Sequence, residues 1–206
     1  MKKEVVHYLE NFLNDFQYFK IDGYDAFHHQ FSGGSKIIVI NSTPYEDGLM
    51  LEIQLAIRID KIEELVFGFY NQEKDKLSLS YWESLSQISS EIPKRNFIQN
   101  EIELLKVISE VENALVKKGF NWLDDLADLN KWTDYFNNVI FNSIKKPSNI
   151  FKICQRSYVL RIIKEEKITD SVFYDYYEQL QNCKVQNINW KNLLILKIIF
   201  ERQLFK

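Results

Sequence analysis

Leu49-Met50-Leu51-Glu52-Ile53-Gln54-Leu55-Ala56-Ile57-Arg58-Ile59-Asp60 carries the strongest periodic signal in this chain. Its odd positions are all large and apolar, while its even positions hold Met50, Glu52, Gln54, Ala56, Arg58 and Asp60. A period of two is that of a β-strand, whose successive side chains point to opposite sides of a sheet. The spacing predicts a half-buried strand over 49–60, with one face on a core and the other turned to water or a partner, as in antiparallel sheets.

Upstream, Val5, Leu9, Phe12, Leu13 and Phe16 recur at helical spacing, so 3–17 reads as an amphipathic helix. Residues 24–31 and 36–41 read as strands joined through Ser32-Gly33-Gly34-Ser35, a hairpin signal because glycine reaches positive φ at no steric cost. Downstream, Asp60 and Glu63 have the spacing of a capping box at the head of a helix bearing Ile62, Leu65, Val66 and Phe69. Alternation over 77–82 suggests a fourth strand.

Past Pro93 the period becomes helical. Ile98, Ile102, Leu105, Ile108, Val111 and Leu115 form one stripe of a long helix, and Gly119 is placed to end it as a left-handed cap. Shorter helical patterns follow at 121–130, 131–144, 149–165, 170–182 and 189–205. The last is apolar on nearly every side, which fits the centre of a fold or an oligomer interface. Strands followed by segregated helices give an α+β fold: a helix and a four-stranded, mostly antiparallel sheet in 1–92, then a helical region in 93–206 that could pack with it as one unit.

Composition excludes several classes. With 206 residues, 46% apolar, 27% charged and a net charge of −3, the chain is neither disordered nor low-complexity. Its longest apolar runs fall short of the ~20 residues that span a bilayer, so no membrane role is expected. Two cysteines, Cys154 and Cys183, make no disulfide framework and read as buried thiols. The N-terminus lacks the apolar core of a signal peptide, which places the protein in the cytoplasm. Charge is uneven: 1–143 hold 14 basic and 23 acidic side chains, and 144–206 hold 12 and 6. The basic end, with Lys145, Lys146, Lys152, Arg156, Arg161 and Lys164, is a candidate nucleic-acid surface, but its charges are spread thinly.

Motifs that would carry chemistry are few. His28-His29 are adjacent on a strand and so point to opposite faces, where they cannot chelate one ion, and zinc-ligand spacings are absent. Asp124-Asp125-Leu126-Ala127-Asp128 has the form of a diphosphate-binding D-D-x-x-D motif, but Trp122, Leu123, Leu126 and Leu129 read as a core stripe with the acids opposite. Ser32-Gly33-Gly34-Ser35-Lys36 lacks the spacing of a phosphate loop and the helix that would follow one. The sequence therefore implies no metal and no cofactor. The best candidate for recognition is the polar flank of the long strand, where Glu52, Gln54 and Arg58 lie together; the arginine fork suits a carboxylate or phosphate. His28 and His29 join them as candidate binding residues. A small enzyme using one of these histidines with Glu52 and Arg58 is the alternative. Among the aromatics, Tyr174 reads as exposed, while Phe173, Tyr176, Tyr177 and Leu180 have core spacing.

The run Leu51 to Glu63, with Ile57-Arg58 before Ile62-Glu63, resembles small uncharacterised bacterial α+β families in which a helix leads into an antiparallel meander. Some of these are similar to immunity proteins of polymorphic toxin systems. What the resemblance implies, over the N-terminal half, is a non-catalytic bacterial protein that binds another macromolecule, most simply a protein partner.

Overall fold

The long strand forms as its alternation predicts and lies at the centre of a six-stranded antiparallel sheet. The computed structural model describes residues 1–70, 77–138 and 150–164, with 174, 175 and 178. The strands are β1 (Phe19–Lys20), β2 (Ala26–Phe31), β3 (Gly34–Tyr45), β4 (Gly48–Ile59), β5 (Tyr81–Ser84) and β6 (Asn96–Ile98). Their order is β1-β2-β3-β4-β5, and β6 pairs with the other end of β4, across Leu49 to Leu51. Two strands thus exceed the four expected: β1 and β6 are two and three residues long, too short to show a period of their own. The helices are α1 (Lys2–Asp15), α2 (Asp60–Tyr70), α3 (Leu85–Ile88), α4 (Glu101–Ala114), α5 (Phe120–Leu126), α6 (Leu129–Asn137) and α7 (Ile150–Ile163). The expected helices at 170–182 and 189–205, apart from those three residues, lie outside the described residues, as do Cys183, Lys145 and Lys146.

Two compact units emerge, one from 1–60 and 79–128, the other from 61–78 and 129–206, so the helices beyond residue 92 are shared between them. In the first, the odd side chains of β4 from Leu49 to Leu55 pack with Phe27, Ile38 and Ile40 against Val5, Leu9 and Leu13 of α1 and Leu104, Val111 and Leu115. Each fully buried Leu or Ile of this layer contributes about 1.5–3 kcal/mol relative to an exposed one.

Turn chemistry sets the register. Ser32-Gly33 joins β2 to β3 with Gly33 at φ 131°, and a Cβ on Gly34 would lie 1.9 Å from the Arg58 carbonyl oxygen. The tandem glycines are thus a hairpin turn and no phosphate loop. Helix α1 closes with the Tyr18 amide donating to the Leu13 carbonyl and the Gln17 amide to that of Asn14, with Gln17 at φ 60°. This is a Schellman cap with glutamine where glycine is usual.

Three local expectations are corrected. The stripe of α4 buried on the sheet is Leu104, Val107, Ile108, Val111 and Ala114, followed by Leu115, while Ile102 and Leu105 are exposed and Ile98 belongs to β6. Ile108, Val111 and Leu115 of the expected stripe are buried, while Leu104, Val107 and Ala114 take the places read for Ile102 and Leu105. Gly119 does not end the helix; with φ −62° it sits inside a π-turn, Leu115–Gly119, that runs on into α5. Leu115, Gly119 and Leu123 are spaced by four, wider than the 3.6 of an α-helix, and the π-turn absorbs the surplus. A Cβ at 119 would stand 3.1 Å from Leu55, so glycine here permits close helix–sheet approach. Third, the capping box at Asp60 and Glu63 does not form, because the Asp60 amide donates to the Gly33 carbonyl and Glu63 is engaged elsewhere.

Candidate interaction surface

Cross-strand register divides the site residues between the two sheet faces, since directly paired residues share a face. The helix-covered face holds the odd positions of β4. The outer face carries Met50, Glu52, Gln54, Ala56 and Arg58, opposite Thr43, Asn41, Val39, Ile37 and Ser35 of β3. His28 pairs with Ile37 and joins this outer face; His29 pairs with Lys36 and lies on the other. The five candidate residues therefore do not form one site. His29 is withdrawn by the period of two, and its ring packs on Tyr18 at 5.4 Å between centroids.

The outer face is not uniformly open. At the row His28–Ile37–Ala56–Trp82, Ile37 is 1% and Ala56 0% exposed, so the face is covered beside Arg58. Arg58 Nε binds Asp60 Oδ1 at 2.8 Å. Glu52 accepts from Arg95 Nε at 3.3 Å and from Gln54 Nε2 at 3.5 Å. These pairs commit the polar groups the sequence singled out.

Toward the β3–β4 turn the same face opens. Tyr45 is 54% and Phe97 39% exposed, and their rings meet edge to face at 6.0 Å. Phe97 is placed by its pairing with Met50, and Gly48 makes room for it: a Cβ there would lie 2.9 Å from the ring. The turn itself is Glu46-Asp47, both exposed, and neither takes a positive φ. Single exposed apolar side chains are ordinary, and Phe19 on β1 is 59% exposed, but here two rings lie in contact with each other on one face, the kind of aromatic grouping that contact surfaces use. The sequence signal was the aromatic content itself; Tyr45 and Phe97 are 52 residues apart, and only β6 brings them together.

The margin of β3 beside this patch is guarded. The Ile40 amide donates to Asp25, toward β2, so by alternation Ser42 and Pro44 also present their backbone to that side, beyond the end of β2. Proline has no N–H to offer, and a proline at an open margin discourages pairing with another strand. Contact at this end is therefore through side chains.

Two further polar groupings lie elsewhere. In the first unit, Lys36 binds Asp124 beside Tyr18; burial, and then the Asp124 carboxylate, pushes the Tyr18 hydroxyl far above the ordinary tyrosine range. Leu123 and Leu126 are buried and Asp124, Asp125 and Asp128 exposed, as a core helix with an acidic outer side requires. In the second unit, Glu63 of α2 is 0% exposed and accepts two parallel bonds from Arg156 of α7, Nε to Oε1 and Nη2 to Oε2, each 2.8 Å. Ser78 donates to the same carboxylate. Every residue from Ile153 to Leu160 is buried, Cys154 among them as expected. Arg156 is thus no nucleic-acid contact, and Arg161 donates to Asn137 at 3.2 Å. Tyr174 is exposed. Among the described residues no helix is long and apolar enough to cross a membrane, and no group of three or more His, Cys, Asp or Glu could hold a metal ion. Comparison with protein-family models, with curated proteins and with solved structures finds no match for this chain.

Proposed function

We propose that this chain is a non-catalytic binding protein of the cytoplasm, of the immunity or accessory type, that docks another protein on the turn end of its outer sheet face. The observation that carries this reading is the exposed Tyr45–Phe97 pair on the outer sheet face, with Glu46 and Asp47 following Tyr45 in the turn and Glu52 of β4 paired with Arg95, just before β6. Interfaces concentrate energy in a few aromatic side chains surrounded by polar groups, and a sheet presents them at little entropic cost. The resemblance of Leu51 to Glu63 to immunity-type families supports the same class.

The experiment compares native lysate proteins retained by the whole chain and by its Tyr45→Ser/Phe97→Ser form, followed by titration of the purified partner. A partner held by the first, lost by the second and bound again in purified form is the expected result. An identical set of retained proteins from both forms refutes the reading.

A further inference from the structure

We infer that the turn end of the outer face takes a basic protein surface, one that lays an arginine or lysine on the Tyr45–Phe97 pair beside the Glu46 and Asp47 carboxylates. This rests on the reading of that face as a docking surface and adds the chemistry of the partner. In an edge-to-face pair, the ring that offers its edge keeps its own faces uncommitted to the other, and the face of an aromatic ring attracts cations. Glu46 and Asp47 follow Tyr45 directly in the chain, are exposed, and form no ion pair among the described residues. Glu52, deeper on the face, is answered by Arg95, so it is the turn that presents unanswered negative charge.

The wider field agrees. The unit that carries this face, 1–60 with 79–128, holds 18 acidic and 10 basic side chains. Such an excess draws in cationic partners, orients them on approach and repels polyanions. Nucleic acid and anionic membrane surfaces are disfavoured by the same charge that favours a basic protein. The proline at the β3 margin discourages strand addition there, which favours side-chain recognition on the rings and the turn.

The test pans a phage-displayed random-peptide library on the immobilised whole chain, on its Tyr45→Ser/Phe97→Ser form and on its Glu46→Lys/Asp47→Lys form. Circular dichroism and thermal melting establish that all three are folded alike. The expected result is enrichment of peptides rich in arginine and lysine, held at least about tenfold more weakly by both variants and weakened by salt. No enrichment, or basic peptides indifferent to the charge reversal, overturns the inference. Neutral or acidic peptides that need Tyr45 and Phe97 overturn it while leaving the docking reading in place. Peptides indifferent to the loss of both rings defeat both.

Discussion

Substituting Arg156 by methionine removes the charge that faces Glu63 while keeping an unbranched side chain of similar length. The wild-type carboxylate has 0% exposure, two charge-assisted bonds of 2.8 Å from the guanidinium and one from Ser78. Without the guanidinium, a buried anion keeps Ser78 and loses both bonds that neutralise it. Breaking a buried pair from one side costs about 3–5 kcal/mol, because the carboxylate stays buried after losing both guanidinium bonds. Against a typical domain stability of ~5–15 kcal/mol, that brings α2 and α7 close to unfolding. Glu63→Leu should cost a similar amount by leaving a buried guanidinium with its Nη1 bond to the Lys152 carbonyl and no carboxylate to neutralise it. The double substitution Glu63→Leu/Arg156→Met should cost less than either, since an apolar pair of similar volume needs no solvation. Because the chain has two compact units, hydrogen exchange read by mass spectrometry over Ile150–Ile163 is the appropriate assay, with urea unfolding by circular dichroism beside it. A loss below about 1 kcal/mol for Arg156→Met, or a double variant worse than both single ones, would refute the reasoning.

Three further outcomes follow from the first unit. The Tyr18 hydroxyl has its pKa raised by burial and by Asp124, from an ordinary value of 10.0; the folded state therefore holds this proton longer than the unfolded one, and stability is full below pH 10 and falls as pH rises beyond it. Tyr18→Phe should flatten that alkaline decline in urea titrations at stepped pH, and an unchanged slope would count against the assignment. Gln17→Gly should raise stability by ~0.5–1 kcal/mol, since glutamine occupies a left-handed position that only glycine takes freely; a decrease in chemical denaturation would contradict the cap. Gly34→Ala should cost at least about 3 kcal/mol, because the new methyl group meets the Arg58 carbonyl and cannot rotate away; a thermal melt within a degree or two of wild type would show the strands are free to separate there.

How far the chain could be read in advance differed by element. The facing of β4 and the turn at Ser32-Gly33 were legible, because alternation and tandem glycine are local constraints that any tertiary arrangement must respect. The extension of β3 to Tyr45 was not, since Asn41, Ser42 and Pro44 are poor strand formers made into a strand by pairing with Leu49, Leu51 and Glu52. The stripe on α4 was legible at Ile108, Val111 and Leu115 but not at its N-terminal half: Ile102 and Leu105 are as apolar as Leu104 and Val107, so only the position of the sheet decides which of them are buried.

The candidate site divides in the same way. The sequence by itself determined that Glu52, Gln54 and Arg58 share a face and that His28 and His29 cannot, since the two-residue period of a strand depends only on its backbone. Tertiary structure alone decided that Ile37 and Ala56 are buried on one part of that face, that Tyr45 and Phe97 meet on another, and that Glu63 turns to Arg156, 93 residues along the chain, in place of its own helix end. Burial and charge pairing are properties of what lies across a gap in space, and no local repeat in a chain encodes which distant segment will fill it.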